Sequence, residues 1–340
     1  MRTIEIITIN DLLNYGNRLQ NYAVQHILSE KGFYPENIVD ETIFPEMSNN
    51  VFGLKTCVKR VLYLFRYLLG GSLKTKIIKW NNQITRKENF NEFNKFVNYS
   101  RIKVKNLELT KIPCVDKYFI VGSDQVWNPY FSISPVTLLE NVKCENKIAF
   151  SASFGVESIT YDKRLSDCFD DFKAISVREE AGAKIIKDLT GKDATVLVDP
   201  TMLLTTDEWV KVSKKPKGAE EGYILTYFLS PKCDEAIKKL NEIRTGKEVY
   251  ELLNPEDEIA GSAGPSEFLW LFNHAECILT DSFHACVFSF LFNKPFVVYD
   301  RNLDGENMNS RLETLLSKFH IERKYANSGL PNEIWEHDYT

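Results

Sequence analysis

Asp281, Ser282 and His284 bring a carboxylate, a hydroxyl and an imidazole together just after the apolar run Cys277-Ile278-Leu279 and at the head of an almost wholly apolar stretch closed by Asn293 and Pro295. Thr280-Asp281-Ser282 supplies N-capping oxygens, and a helix with no polar face is a buried one. Phe296-Val297-Val298-Tyr299 returns as a strand, so the unit reads β-α-β with parallel, buried strands. In open α/β sheets the loop leaving the carboxyl end of a strand is where ligands bind. His284 falls in the first helical turn, whose N–H groups and positive dipole end attract anions and disfavour a charged imidazole until a polyanion binds. That suits a general acid that charges when its substrate arrives. The other reading is a packed histidine hydrogen-bonded to a neighbouring carbonyl.

Similar loops recur. The strand Lys117 to Val121 ends in Gly122-Ser123-Asp124-Gln125: a glycine that lets backbone approach a ligand, then three side chains that bond hydroxyl groups. Trp127 offers a face for a sugar ring or simply fills the core. Arg178 is the first residue past the strand Ala174 to Val177. Its planar fork suits phosphate or carboxylate, and the alternative is an ion pair with Glu179 or Glu180. Near the amino terminus, the strand Ile4 to Ile9 empties into a polar loop and a helix from about Asn17 to Lys31. Asn17 and Gln20 near its start either bind sugar hydroxyls or are ordinary surface polarity. No G-x-G-x-x-G follows this strand, which weakens a dinucleotide reading.

Five blocks, in order, resemble one family. Asn14-Tyr15-Gly16-Asn17-Arg18-Leu19-Gln20-Asn21-Tyr22-Ala23, Phe119 through Asn128, Ile175-Ser176-Val177-Arg178-Glu179, Val198-Asp199-Pro200-Thr201 and Thr280-Asp281-Ser282-Phe283-His284 look like the polysaccharide pyruvyl transferase family. The resemblance implies an α/β fold of two Rossmann-like doubly wound domains facing a cleft, GT-B-like. It also implies transfer of a pyruvyl group from phosphoenolpyruvate to a sugar of a cell-surface glycan, or its lipid-linked precursor, as a ketal. That chemistry calls for no cofactor and no metal. His284 is expected as the acid and Arg178 on the phosphate or carboxylate. Ser282, Asp281 and Arg311 are expected at the donor, and Asn17, Gln20, Gly122, Ser123, Asp124 and Gln125 at the acceptor. Many relatives read Arg-Leu-His where this chain has Ser282-Phe283-His284, so one anion contact is missing; Arg311 or Arg301 is the expected replacement, although Arg311 could instead pair with Glu313 on the surface. A nucleotide-sugar glycosyltransferase and a non-catalytic anion- or glycan-binding protein are the alternatives.

Composition sets bounds independently. At 340 residues, with 44% hydrophobic and 12% aromatic residues, the chain can build two cores. The expected division is an N-terminal Rossmann-like domain on the acceptor side (1–212), a polar linker (213–221), a donor-side Rossmann-like domain (222–308), and a helix and tail (309–340) crossing back to the first. Seven cysteines without a C-x-x-C pair fit reduced thiols. Met1 runs almost directly into a strand, so no signal peptide is expected, and the expected location is the cytoplasm, at the inner face of the membrane. A net charge of −5 argues against nucleic acid as a partner. Charge is nonetheless segregated: 54–105, a basic helical insertion in the first domain, carries +11 and the rest −16. Its part 54–69 mixes basic and apolar residues and either lies on an anionic leaflet, where a lipid-linked acceptor would be found, or packs as a helix on the first domain.

Overall fold

Short apolar runs separated by helical stretches can pair only through crossovers, and crossovers make parallel sheets. The computed structural model describes residues 2–11, 13–40, 72–104, 118–130, 133–140, 142, 146–300 and 310–318, and among these it contains two such sheets. The first comprises β1 (Thr3–Ile7), β2 (Tyr34–Asp40), β3 (Tyr99–Val104), β4 (Tyr118–Val121), β5 (Lys147–Ala152), β6 (Ala174–Val177) and β7 (Thr195–Val196). Its order is β3-β2-β1-β4-β5-β6-β7, every pair parallel. The order reverses between β1 and β4, where Ile4 pairs with Tyr118 and Ile7 with Val121. The second sheet comprises β8 (Ile224–Tyr227), β9 (Val249–Leu252), β10 (Cys277–Thr280) and β11 (Phe296–Val298) in the order β11-β10-β8-β9, again all parallel, and reverses between β8 and β10. Both are doubly wound, and each reversal marks where such a sheet opens a ligand crevice.

Among the described residues the α-helices are α1 (Tyr15–Glu30), α2 (Ser72–Phe93), α3 (Lys163–Asp170), α4 (Glu180–Thr190), α5 (Thr206–Lys211), α6 (Asp234–Ile243), α7 (Pro265–His274), α8 (Phe283–Leu291) and α9 (Ser310–Lys318). The chain forms two compact units, one from residues 1–48, 94–204 and 305–322, the other from 49–93, 205–304 and 323–340. The change of unit after Leu204 precedes the polar stretch 213–221 that the sequence suggests as the linker. At that point Thr205 and Glu208 form a capping box that starts α5. Helix α2 lies in the region expected to belong to the first domain, yet it belongs to the second unit. Asn82 donates to the carbonyls of Pro255 and Asp257, and Asn89 to that of Ser262. Segment 54–69 falls outside the described residues. Among the described residues no helix is long and apolar enough to cross a membrane. Helix α9 packs with the first unit, where the Thr314 hydroxyl accepts from the Glu180 N–H at 3.5 Å.

The core of the first unit gathers around Trp127, whose ring meets Phe169 edge-on at 4.7 Å and whose Nε1 donates to the Thr137 carbonyl at 3.0 Å. Trp127 is therefore a core residue and not a platform for sugar. In the second unit α8 is buried from Phe283 through Ser289, as its lack of a polar face requires, and Phe288 lies against Trp209 and Phe268.

Candidate functional site

Each unit places polar side chains at its own strand-order reversal. In the first unit β1 and β4 end side by side, and the loop after β4 carries Asp124 in a left-handed conformation (φ 71°), which aspartate tolerates better than most residues. The Asp124 carboxylate accepts from Arg178 Nη2 at 2.8 Å, from the Gln125 N–H at 2.9 Å and from the Asn17 amide. Arg311, from α9, has Nη1 4.0 Å from Asp124 Oδ1 and is buried, so it is not the surface arginine that one reading allowed. Arg178 directs its other nitrogen, Nη1, to Asp199 Oδ2. Burial alone would lower the Arg178 pKa, but the Asp124, Asp199 and Glu179 carboxylates outweigh it and hold the guanidinium charged.

This geometry corrects several expectations. Arg178 is buried with its two terminal nitrogens on the carboxylates of Asp124 and Asp199, two partners that the sequence reading did not name. Gln20 is fully buried and donates to Thr8 Oγ1 at 2.8 Å, so it is not the surface polarity that one reading allowed. Gly122 is needed by the protein itself, because a Cβ there would lie 2.4 Å from the Phe150 carbonyl oxygen on β5. The buried Ser123 hydroxyl donates to the Ser151 carbonyl at 2.9 Å. Asn17, Asp124 and Gln125 are the expected acceptor residues that the fold brings together, and Gln125 packs so closely on Gly155 that a Cβ on that glycine would meet its amide.

Two residues are assigned no site role by the sequence reading. Asp199 accepts from the Thr201 N–H at 3.0 Å and its hydroxyl at 2.7 Å while also holding Arg178. Glu179 accepts from the N–H groups of Phe154 and Gly155 and from the Ser153 hydroxyl, tying down the loop after β5. Their signal was present in the Val198-Asp199-Pro200-Thr201 and Val177-Arg178-Glu179 blocks, each placed just past a strand.

In the second unit β8 and β10 end together. The buried Asp281 carboxylate accepts from the N–H groups of Leu229 (2.7 Å) and Ser230 (2.9 Å) and from the Ser230 hydroxyl (2.6 Å). It thereby pins the loop after β8 to the start of α8, and its expected place at the donor gives way to that of a support. Ser282 occupies the N-cap position, yet its hydroxyl makes no capping hydrogen bond. His284 is 9% exposed in the first turn of α8, its ring edge-on to Phe283 at 5.4 Å. It is buried just past the carboxyl end of β10.

Solved structures similar to the chain include UDP-GlcNAc 2-epimerase from Methanocaldococcus jannaschii in complex with UDP-GlcNAc and UDP, at 11% identity and TM-score 0.48, covering 100% of this chain and 94% of that one. Others are the S. aureus MnaA–UDP co-structure (12%, TM-score 0.42, 95% and 88%) and the spinosyn rhamnosyltransferase SpnG complexed with thymidine diphosphate (9%, TM-score 0.35, 92% and 84%). No curated protein matches the sequence. The family pattern for polysaccharide pyruvyl transferases matches residues 14–302, a span that takes in the β1–α1 loop, Asp124, Arg178, Asp199 and His284, and the chain accordingly belongs to the polysaccharide pyruvyl transferase family.

Proposed function

We propose that the protein transfers the pyruvyl group of phosphoenolpyruvate to two hydroxyls of one sugar, forming a cyclic ketal, with His284 as the general acid. The observation that carries this reading is the first turn of α8: an imidazole two residues after a serine at the N-cap whose hydroxyl is not used for capping, at the point where the second sheet reverses its order. A helix start of this kind favours an anionic group, and the imidazolium it supports is the proton source.

The enol methylene takes a proton and becomes methyl, leaving an oxocarbenium-like carbon. One sugar hydroxyl bonds to that carbon and gives up its proton; the bond to the phosphate oxygen breaks, and phosphate departs with the electron pair. The second hydroxyl closes the ring. Of the two hydroxyl protons, one balances the methyl group and the other leaves with phosphate. Ser282 and the helix N–H groups hold the donor anion, and Asn17, Asp124 and Gln125 of the first unit serve the acceptor. Arg311 is the cation of the first unit to test for phosphoenolpyruvate binding, since both terminal nitrogens of Arg178 already meet carboxylates. The acceptor belongs to a cell-surface glycan or its lipid-linked precursor.

Purified protein incubated with phosphoenolpyruvate and a panel of hexose and N-acetylhexosamine glycosides should release phosphate and show a ketal methyl singlet by proton NMR. A protein whose melting point rises with nucleotide sugars and not with phosphoenolpyruvate would instead be a glycosyltransferase, because only a ligand of the native state stabilises it by mass action.

A further inference from the structure

Asp199, Arg178 and Asp124 form a chain of charges whose exposure grows outward, from 0% for the Asp199 side chain through 1% for Arg178 to 7% for Asp124. The inner end is fixed most firmly. Both Thr201 donors reach one Asp199 oxygen, at 3.0 and 2.7 Å, and leave the other for Arg178 Nη1. A guanidinium is flat and its two terminal nitrogens have a fixed spacing, so holding Nη1 also sets the direction of Nη2. Nη2 meets Asp124 Oδ1 at 2.8 Å, which leaves Asp124 Oδ2 to accept from the Asn17 amide. Stability alone is a poor reason for such a cluster, because desolvating buried ions offsets most of their attraction and apolar packing serves as well or better.

We propose that Asp199 and Thr201 are positioning residues that act through Arg178 to fix the orientation of Asp124 for a hydroxyl-bearing ligand. In this role Arg178 does not bind the anionic donor. The identity of that ligand as the acceptor sugar rests on the pyruvyl-transfer reading above; the orientation of Asp124 does not.

The test uses the full-length protein and Asp199→Asn, which keeps the shape and removes the charge, with Thr201→Val as the second variant should Asp199→Asn fold poorly. Two readouts are taken. One is hydrogen exchange at the Gln125 amide, whose acceptor is Asp124 Oδ1. The other is a pair of measurements: phosphoenolpyruvate affinity by calorimetry without acceptor, and kcat/KM for the acceptor with donor saturating. Faster Gln125 exchange, a 10- to 100-fold loss in acceptor kcat/KM and an unchanged donor affinity are expected. Donor affinity falling in step with activity would make Arg178 a donor ligand and overturn the proposal. Unchanged Gln125 exchange in both variants would overturn it as well. A wild-type protein that makes no ketal defeats the pyruvyl-transfer reading, and in that case accelerated Gln125 exchange in the variants still supports the positioning role while unaltered exchange removes it.

Discussion

Replacing Arg178 with methionine keeps most of the side-chain volume and removes the cation from between two buried carboxylates. Breaking a buried pair from one side costs roughly 3–5 kcal/mol, because the remaining charge stays desolvated without its partner. Here two carboxylates are left, but neither is bare: Asp199 keeps the Thr201 N–H and hydroxyl, and Asp124 keeps the Gln125 N–H and the Asn17 amide. Those donors place the expected loss near the lower end, about 3 kcal/mol, which is roughly a hundredfold in an opening equilibrium. A single melting curve would mix two units and blur the effect. Amide exchange separates them: protection of Phe119, Ile120 and Val121 in β4 should fall about a hundredfold, while Ile224 to Tyr227 in β8 serves as the internal standard. The triple variant Arg178→Met/Asp124→Asn/Asp199→Asn removes the stranded charges and should recover most of the lost protection, since the three effects are coupled. Full protection in Arg178→Met, or a triple variant no better protected than the single, would refute the account of a buried charge cluster.

His284→Gln should fold normally and lower turnover by about 10²- to 10⁴-fold in the phosphate-release assay; a native-like rate would end its assignment as the acid. Ser282→Ala should change stability by less than about 0.5 kcal/mol, since its hydroxyl caps nothing, yet weaken phosphoenolpyruvate binding by about 1.5–3 kcal/mol in calorimetry. Gly122→Ala should destabilise the first unit by about 2–4 kcal/mol, combining strain at φ +111° with a 2.4 Å clash against backbone, read as lost exchange protection in β4 and β5. Burial pushes the Cys277 thiol up to about 12, so at pH 8 iodoacetamide should label it only after denaturation, as mass spectrometry of the peptide would show.

The alternation of strands and helices in the second unit was plain in the sequence because its central strands β8 and β10 are buried on both faces and read largely as apolar runs: Glu276 to Leu279 was expected against the observed Cys277–Thr280, and at the edge Phe296 to Tyr299 against Phe296–Val298. β2 was not legible for the opposite reason. Its stretch Tyr-Pro-Glu-Asn-Ile-Val-Asp buries Asn37, which accepts from Gln25 Nε2 at 2.9 Å, so an interior position carries an amide where a hydrophobic side chain is expected. The same inversion misled the reading of Gln20, whose amide bonds lie wholly inside the protein. Residue types marked the strand-end positions of Asp124, Arg178 and His284, but not whether each side chain turns to solvent or to a neighbour. For Arg178 the partners lie 54 and 21 residues away, and only tertiary structure brings them together.

The way the chain is divided between its units bears on how it is made. A ribosome that has released residues 1–204 has delivered Arg178 and both carboxylates that hold it, Asp124 and Asp199, but not α9, which brings Arg311 to Asp124, and it has already passed α2, whose anchoring carbonyls at Pro255, Asp257 and Ser262 are synthesised more than a hundred residues later. Each unit draws on segments made after the other has begun, so neither is complete until the chain has passed residue 304. No single cut yields a fragment holding all of either unit, and split or truncated versions made for expression would each carry an unfinished half.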